Sequence, residues 1–327
     1  MEAIYYYKET NIHTVCLLRM FGQTGIASVP SEIDGLWVTE IGPYCFAPNG
    51  RYEGEDVRCT AKCDRDFDDL LELSGKAVEE VILPEGIQKI GANAFYNCRE
   101  LRTLYVPDSL TEIGADEFMN CVQLTKIRYF GAVEEKSCLK QLLAQIPWDV
   151  EVSFENSNNF ADAVLYFPEY FEGYDEIGPA HIFELNIQGE GFRARQCFVN
   201  GVIALKEYDD VFLQACARES VKTLCRMAEN RIVFPKCLTE EHRQNYVDYL
   251  QNNQSEAAKY LLARTDISKE QLAHVIECLI QAKCFDRKTL EEMIAEASQK
   301  GNAELTTYLL MWKRNYFKES KQNRYTF

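Results

Sequence analysis

The apolar residues in the first third of the chain recur at a fixed interval. Three stretches of similar sequence begin at Val78, Leu101 and Leu124 (101 − 78 = 23 and 124 − 101 = 23). The same interval separates pairs of identical residues: Pro84 and Pro107, Ile90 and Ile113, Gly91 and Gly114, Phe95 and Phe118, Asn97 and Asn120, and Cys98 and Cys121. A repeat of this length predicts a solenoid, in which each unit buries its apolar face only by stacking on a neighbour.

Within a unit, the pattern Leu-x-x-Leu-x-Val-Pro predicts a short strand, which the proline ends because it has no N–H to donate. An Ile-Gly pair follows, where glycine is expected to let the backbone reverse. Residues 91–98 predict one helical or 3₁₀ turn that places Phe95 in the core. Cys98 and Cys121 are interpreted as small buried apolar side chains.

These units resemble the BspA-like class of leucine-rich repeats, which run Leu-x-x-Ile-x-Ile-Pro-x-x-Val-x-x-Ile-Gly-x-x-Ala-Phe-x-x-Cys. The stretches 29–35 and 38–46 resemble the opening unit of that family, and the resemblance extends over about residues 20–130. It implies a short solenoid that is a right-handed β/α superhelix. Solenoids mostly present surfaces to partners, so the resemblance also implies a protein-binding function.

The register of the repeat breaks once along the chain. The separation of Ile41 and Ile90 (90 − 41 = 49) is two periods plus three positions. Residues 49–76 carry little of the motif and are rich in aspartate. We interpret them as an acidic insertion that replaces or hides one repeat.

On the predicted strands, the residues on either side of the central apolar position face the concave surface. They form the candidate partner-binding set: Glu80, Ile82, Thr103, Tyr105, Lys126 and Arg128. Ile82, Tyr105 and Arg128 form one column of apolar, aromatic and guanidinium groups, which are types found in binding hot spots. The alternative interpretation is an ordinary solvated sheet face.

The segment after the repeats is expected to begin with a helix over residues 134–146, which would cap the open end of the solenoid. The alternation of Val150, Val152 and Phe154 then predicts a strand. Residues 166–175 are dense in aromatic and acidic residues and are interpreted as a loop. Residues 181–187 and 192–198 predict the two strands of a β-hairpin.

From Asp209 onward, the spacing of apolar residues predicts helices. They cover about residues 210–231, 239–252, 254–264, 268–282, 287–300 and 303–316. The segments 255–262 and 297–310 resemble the inner part of ankyrin repeats, although the Thr-Pro-Leu-His signature of that family is absent. This resemblance implies stacked antiparallel helix pairs, which serve more often as binding scaffolds than as enzymes.

Together the patterns predict a chain of α/β and α class in three parts. Residues 1–131 form the leucine-rich repeat domain, with the insertion at about 49–76, and residues 132–205 form a small β-containing segment with a helix cap. Residues 206–327 form an α-helical, ankyrin-like repeat array.

The composition restricts the partners. A formal net charge of −16 over 327 residues argues against nucleic acid and against anionic membranes as partners, and no run reaches the ~18 apolar residues of a membrane span. The 13 cysteines form an odd, scattered set, which suits a reducing compartment. Residues 1–20 lack the basic start and apolar run of a signal peptide. The expected location is therefore the cytoplasm.

Matches to catalytic motifs are weak. The segment 189–194, Gly-Glu-Gly-Phe-Arg-Ala, fits the dinucleotide-binding pattern, but that site requires a helix to begin at the glycines, and residues 193–198 are predicted to continue as a strand. Cys59 and Cys63 would supply two zinc ligands where a structural site needs about four. The four histidines are scattered and form no recognisable triad. We therefore expect no catalytic residue, no cofactor and no metal.

The sequence thus predicts a non-catalytic scaffold that binds a protein partner on the concave face and on the helical array. The alternative is an enzyme or small-ligand receptor with a site between the aromatic-acidic loop and the strand carrying Arg193 and Arg195. Its candidate ligand residues are Tyr170, Glu172, Tyr174, Arg193 and Arg195. A further alternative is self-association through the ends of the solenoid.

Overall fold

The computed structural model describes residues 3–156, 160–177 and 182–317 of the chain. The chain divides into two compact units, Met1–Ala204 and Leu205–Phe327. The prediction of a short solenoid followed by a β-containing segment and then by helices is confirmed. His181, at which the predicted hairpin begins, lies outside the described residues.

Short strands make up most of the first unit, because each repeat contributes only a few extended residues before it turns. The strands are β1 (Ala3–Asn11), β2 (Thr14–Gly22), β3 (Ile26–Ser28), β4 (Glu32–Ile33), β5 (Leu36–Ile41), β6 (Val57–Cys59), β7 (Leu71–Glu72), β8 (Glu80–Ile82), β9 (Lys89–Ile90), β10 (Thr103–Pro107), β11 (Glu112–Ile113), β12 (Lys126–Phe130), β13 (Val150–Glu155), β14 (Ala161–Phe167), β15 (Phe171–Ile177), β16 (Ile182–Gln188), β17 (Phe198–Val199) and β18 (Val202–Ile203). The helices are α1 (Leu139–Leu143) and α2 (Gly191–Gln196), and 3₁₀ turns cover Asp64–Phe67 and Gly75–Ala77.

Two sheets run through successive repeats. The first, which we call the parallel sheet, has the order β14-β13-β12-β10-β8-β3, and all its neighbours are parallel except β14, which is antiparallel to β13. The second has the order β11-β9-β5-β2-β1-β6 and joins the two-residue strands of the repeats to the long hairpin β1–β2. Val81, Leu104 and Ile127 of the parallel sheet are at most 1% exposed, so their predicted inward orientation is confirmed.

A column of phenylalanine rings forms the centre of the stack. The rings of Phe46, Phe95 and Phe118 lie parallel in successive turns, with centroids 5.3 and 5.4 Å apart. Beside them, the Cys98 thiol donates a hydrogen bond to the carbonyl of Phe46 (3.2 Å), and the Cys121 thiol donates to that of Phe95 (2.9 Å). The two cysteines therefore fill apolar space, as predicted, and also link each turn to the one before it.

The segment between the sheets consists of successive turns, so the predicted helical or 3₁₀ turn at residues 91–98 is wrong. Asn93 and Asn97 have left-handed backbone conformations (φ 58° and 62°), as do Asp116 and Asn120 (φ 57° and 66°). Such residues interrupt a right-handed helix, and Asn and Asp tolerate the conformation because their short side chains bond locally. Asn120 Nδ2 also donates to Asn97 Oδ1 (2.7 Å), which links equivalent positions of two repeats.

The glycines of the Ile-Gly pairs permit close approach between repeats and do not serve to reverse the backbone. Neither Gly91 nor Gly114 has a positive φ. A Cβ atom on Gly91 would lie 2.6 Å from the backbone nitrogen of Pro43, and one on Gly114 would lie 2.6 Å from that of Ala92. A side chain at either position would push neighbouring repeats apart.

The insertion covers the N-terminal hairpin. Within residues 49–76, β6 pairs with β1 and β7 pairs with β2, both antiparallel. The ring of Tyr52 packs on Tyr6 with centroids 4.6 Å apart, and that of Phe67 packs on Phe21 at 5.0 Å. The insertion thus closes the N-terminal part of the solenoid with apolar cover, which end repeats need.

The predicted helix at 134–146 is shorter in the structure, where α1 begins only at Leu139. Leu139, Leu142 and Leu143 are fully buried, as predicted. The preceding residues are not helical because the backbone N–H of Ser137 donates to the carbonyl of Gly201 (2.9 Å). That N–H is therefore not available for a helical bond.

The hairpin of the middle segment lies one element earlier than predicted. β15 pairs with β16, with Phe171 opposite Gln188 and Tyr174 opposite Leu185. Residues 171–175 are therefore strand and not loop, whereas Arg193 and Arg195 lie on the short helix α2 and not on a strand. A period-two pattern over so few residues does not distinguish a strand from one helical turn and a half.

The second unit is helical throughout its described part, residues 205–317. Its helices are α3 (Leu205–Ala215), α4 (Val221–Val233), α5 (Glu240–Asn252), α6 (Gln254–Leu262), α7 (Lys269–Gln281), α8 (Arg287–Gln299) and α9 (Ala303–Tyr316). The predicted helix at 210–231 is two helices, because the Ser220 side chain accepts from the backbone N–H of Thr223 and caps a new helix there. No helix among the described residues is long and apolar enough to cross a membrane.

Helices of the second unit recur at a regular interval. The helices α4, α6 and α8 begin at Val221, Gln254 and Arg287 (254 − 221 = 33 and 287 − 254 = 33). α6 packs on α4 and α8, and α7 packs on α9, so successive helix pairs stack. In the structure, α8 is the helix that corresponds to α6 in the next stacked pair. The sequence resemblance instead aligns α6 with α9.

A buried ion pair joins the first three helices of this unit. Arg231 donates two hydrogen bonds to the Asp209 carboxylate (2.7 and 2.9 Å), and Tyr246 Oη donates a third to it (2.8 Å). Both charged side chains are fully buried. Such a pair is tolerated because its hydrogen bonds are satisfied in place of water.

Glu117 occupies the position that Ala94 holds one repeat earlier, and its side chain is fully buried. Its Oε2 accepts from the backbone N–H of Ala94 (3.0 Å), while Oε1 has no hydrogen-bond partner among the described residues. Burial raises the pKa of Glu117 to about 7, although the backbone N–H groups of Ala94 and Gly114 act in the opposite direction. The folded state therefore favours the protonated carboxyl group.

Phe95→Ala should destabilise the first unit by about 3–5 kcal/mol, because it empties the middle of the ring column. Urea unfolding of the full chain, followed by circular dichroism, would measure the loss. The half-buried neighbour Tyr96 offers a matched control, and Tyr96→Ala should cost clearly less. Equal losses for the two variants would contradict the role of the column.

Glu117→Gln should remove a pH dependence of stability. The wild type should lose stability relative to this variant as the pH rises from about 4.5 to about 7, because unfolded Glu117 releases its proton more readily than folded Glu117. Above that window the difference should be on the order of 3 kcal/mol. Unfolding free energies at about pH 4 and about pH 8, on either side of that window, would measure it, with the exposed Glu112→Gln as control. Parallel pH profiles for wild type and Glu117→Gln would refute the assignment.

Candidate functional site

The outer face of the parallel sheet carries all six residues of the predicted partner-binding set. Glu80, Thr103 and Lys126 lie opposite one another in one cross-strand row, and Ile82, Tyr105 and Arg128 lie in the next. Alternate residues of a strand point to opposite faces, and Val81, Leu104 and Ile127 point into the core. We call the opposite side, with these two rows, the parallel-sheet face.

Exposure differs along this face. Thr103 is buried, at 8% exposed, and the other five predicted residues are half-buried. The two rows therefore offer side chains that are partly ordered by their neighbours and still accessible to a partner.

A cluster of Tyr105, Arg128 and Glu155 occupies the middle of the face. Arg128 Nε donates to Glu155 Oε1 (2.5 Å), and Arg128 Nη2 donates to Glu155 Oε2. The guanidinium carbon lies 5.0 Å from the centroid of the Tyr105 ring, which is within the range of a cation–π contact. Ser153 Oγ also donates to Glu155 Oε1 (2.7 Å), and Tyr105 Oη donates to Glu80 Oε2 (3.3 Å).

The electrostatics of the cluster fix the charge of Arg128. Its hydrogen bonds to Glu155 raise the pKa of the guanidinium further above its ordinary value, against the opposing effect of partial burial. The Glu155 side chain is 5% exposed, so the arginine compensates a nearly buried carboxylate. The cluster presents an aromatic face and the exposed part of a guanidinium, both held in place.

The structure extends the rows beyond the predicted residues. Lys126 lies opposite Glu151, and Arg128 lies opposite Ser153, on β13. Glu155 and these β13 residues were missed because the parallel pairing of β12 with β13 leaves no local sequence signal. The alternation at 150–154 predicts the strand but not its neighbour.

The residues of the alternative ligand site are brought together only in part. Arg195 is 2% exposed and lies 5.1 Å from the Tyr170 ring centroid. Arg193 is exposed to a larger degree and lies beside Glu190 (3.3 Å). Glu172 and Tyr174 lie on β15 and are exposed.

Arg195 serves as an anchor for the backbone around it. Its guanidinium donates to four carbonyl groups. Two belong to the segment before β13, one to the residues just before β15 and one to the residues just after β16. The acceptors are Ile146 (2.9 Å), Trp148 (2.7 Å), Pro168 (2.5 Å) and Gly191 (2.9 Å). With so many of its donors committed to protein carbonyls, Arg195 is a structural residue.

The dinucleotide pattern fails for a different reason from the one predicted. A helix does begin at Gly191, but α2 ends at Gln196 and follows an antiparallel hairpin, not a strand of a βαβ unit. The dinucleotide pattern also requires an acidic residue about 20 positions on, to bind the ribose. Asp209 has that spacing from Gly189, but its carboxylate accepts hydrogen bonds from Arg231 and Tyr246.

Other candidate chemistry is limited. Within residues 3–156, 160–177 and 182–317, no group of three or more His, Cys, Asp or Glu residues is placed to hold a metal ion. A cleft of about 480 Å³ opens beside the insertion. Its lining contains two cations, Lys8 and Arg51, and two carboxylates, Glu53 and Asp56. The other lining residues are Leu18, Pro43, Tyr44, Asn49, Tyr52 and Val57.

Comparison with known families gives a match within the repeat region. Residues 73–142 match the BspA type leucine rich repeat region, with six copies. The match spans 70 of the 327 residues (142 − 73 + 1 = 70). None of the curated proteins compared with the chain matches it.

Solved structures show partial similarity. A leucine rich cell surface protein from Faecalibacterium prausnitzii is 20% identical with a TM-score of 0.28, and the alignment covers 38% of this chain and 31% of that one. A leucine rich repeat protein from T. pallidum is 19% identical with a TM-score of 0.22, over 40% of this chain and 70% of that one. The chain thus spans about a third of the length of the first of these proteins.

Arg195→Lys should destabilise the first unit by about 2–4 kcal/mol, because an ammonium group cannot reach four carbonyls that a planar guanidinium satisfies. Thermal and urea unfolding of the full chain would measure it. Arg193→Lys is the matched control, since it keeps the charge beside Glu190, and should cost less than about 1 kcal/mol. Similar costs for the two variants would argue against the anchoring role.

Proposed function

We propose that the protein is a non-catalytic interaction scaffold that binds a protein partner on the parallel-sheet face. The observation that carries the proposal is the Tyr105–Arg128–Glu155 cluster at the centre of this face. Tyrosine and arginine are among the types most enriched in residues that dominate binding energy. Because both side chains are already held by neighbours, docking a partner on them costs little conformational entropy.

The BspA-type repeats and the solenoid fold are consistent with an interaction scaffold. Within the proposal, Ile82 and Tyr105 provide apolar contact, while Glu80 and Lys126 provide charges of both signs at the adjacent row. The partner is therefore expected to present an apolar or aromatic group to the cluster and polar groups beside it.

The second unit adds a helical scaffold to this proposal. We infer that its helix pairs are ankyrin-like. The regular spacing of Val221, Gln254 and Arg287 supports this, since it equals the length of an ankyrin repeat, which is about 33 residues. Stacked pairs of this kind provide extended surfaces for protein partners.

We further propose a cytoplasmic location. All 13 cysteines are free thiols in the structure. Free thiols persist in reducing compartments, whereas exported proteins tend to pair them.

The pair Tyr105→Ala and Lys126→Glu should reduce partner capture by at least about tenfold, because it removes the aromatic anchor and reverses one charge of the face. Arg128 is left in place, since its loss would leave the buried Glu155 without its counter-ion. The full chain, tagged and incubated with extract from its source cells, would be analysed by quantitative mass spectrometry.

The control pair is Tyr96→Ala with Lys89→Glu, which makes the same chemical changes away from the parallel-sheet face. A stoichiometric partner that is retained by the control and lost by the face variant supports the proposal. Retention by both variants contradicts it. Light scattering would be measured in parallel, because a dimer that only the face variant dissociates would assign the face to self-association.

A further inference from the structure

The hairpin formed by β15 and β16, which we call the ribbon, is the most exposed regular element of the first unit. Its strands pair antiparallel over seven positions, and within the described residues neither strand pairs with a third one. Two strands alone are only marginally stable in water. The ribbon therefore depends on support at its base or on a partner along its length.

The base of the ribbon is fixed by buried contacts. Arg195 holds Pro168, just before β15, and Gly191, just after β16, through hydrogen bonds to both carbonyls. The two chain segments touch there, since a Cβ atom on Gly191 would lie 2.0 Å from the Pro168 carbonyl oxygen. Residues 171–176 and 183–188 of the ribbon, by contrast, are exposed except for the half-buried Gly173 and Ile187. A buried arginine therefore fixes the base of a ribbon that is otherwise exposed.

One side of the ribbon is rich in large apolar groups. Cross-strand partners share a face, so Tyr174 lies beside Leu185, and Phe183 lies beside them opposite Glu176. Tyr174, Phe183 and Leu185 are 71%, 63% and 47% exposed. We call this side the apolar ribbon face. A contiguous exposed apolar group of this kind is typical of a site that another molecule covers.

The other side of the ribbon is polar in its middle part. It pairs Gly173 with Asn186 and Asp175 with Glu184, and Asn186 Nδ2 donates to Asp175 Oδ2 (2.9 Å). Phe171, at the base of this side, is a large apolar residue and is 67% exposed. Over residues 173–176 and 183–186 the two sides therefore differ in character, which makes a one-sided contact there testable.

The charge of the ribbon restricts its partner. The sequence from 171 to 188 contains four carboxylates (Glu172, Asp175, Glu176 and Glu184) and no lysine or arginine. A second copy of the ribbon would bring like charges together, and an anionic membrane would repel it. A partner with basic groups among apolar ones complements both the charge and the apolar ribbon face.

We propose that the ribbon docks an extended basic segment of a partner protein, which adds to it as a further strand and covers Tyr174, Phe183 and Leu185 with its apolar side chains. Strand addition uses the unpaired main-chain groups along the outer edge of a ribbon, and alternate side chains supply the specificity. The site is separate from the parallel-sheet face and does not depend on the function proposed for that face.

The test uses the full chain and two labelled peptides, each as long as one strand of the ribbon. One peptide alternates lysine with valine, and the other alternates glutamate with valine. Fluorescence anisotropy would be measured at about 0.15 M salt, which screens long-range attraction to the acidic chain. The lysine peptide should bind and the glutamate peptide should not.

The decisive variants differ in the side of the ribbon that they change. Tyr174→Ser with Leu185→Ser should weaken binding of the lysine peptide by at least about tenfold, while Phe171→Ser should change it by less than about threefold. All these residues are exposed, so the melting temperature of each variant should stay near that of the wild type.

Four outcomes would overturn the proposal. They are absence of binding by the lysine peptide, equal binding by the glutamate peptide, binding that is indifferent to the Tyr174 and Leu185 changes, and an equal loss with Phe171→Ser. Sedimentation equilibrium provides one more. A dimer of the wild type that these two changes dissociate would assign the apolar ribbon face to a second copy of the chain.

Discussion

The first unit depends on how closely consecutive repeats approach one another. Gly91 and Gly114 lie so near the backbone of the preceding turn that no side chain fits, and this contact sets the distance between turns. At that distance the rings of Phe95 and Phe118 stack, and the Cys121 thiol reaches the carbonyl of Phe95. The strands then align without a shift, which brings the outward residues of neighbouring repeats side by side. The Tyr105–Arg128–Glu155 cluster is a product of that spacing.

The sequence predicts those parts of the fold that are encoded by local periodicity. The constant interval between equivalent positions identifies the repeats, and alternation within each strand separates inward residues such as Leu104 from outward ones such as Tyr105. The turns at Asn93 and Asn97 cannot be predicted in this way, because a compact apolar segment looks helical unless the left-handed conformations are known. Residues 171–175 were predicted as loop and form a strand, and residues 192–196 were predicted as strand and form a helix. Both predictions failed because the tertiary structure decides which segments pair. Glu155 was missed for the same reason, since it reaches Arg128 only through the pairing of β12 with β13.

Arginine illustrates how one residue type acquires different roles from its surroundings. Arg128 lies over a tyrosine ring and is neutralised by one carboxylate, so part of it remains available at the surface. Arg195 donates to carbonyl groups and holds the base of an exposed ribbon. Arg231 forms a fully buried pair with Asp209 between helices. In sequence, Arg128 is a candidate for partner contact and Arg195 for ligand contact, and the number and identity of their acceptors separate the proposed contact residue from the structural one.

The thiols that link the turns have a chemical consequence. Interaction with the neighbouring Cys121 thiol, together with burial, raises the pKa of Cys98 well above the ordinary value. Burial also raises the pKa of Cys45, a fully buried cysteine of the opening repeat. Because the thiolate is the reactive form, these cysteines are nearly inert towards alkylating reagents while the stack is closed. Cys63 and Cys237, by contrast, are exposed in the native state. The rate at which the inner thiols become labelled therefore reports how often neighbouring repeats separate. Thiol labelling thus measures local opening of the solenoid without any added probe.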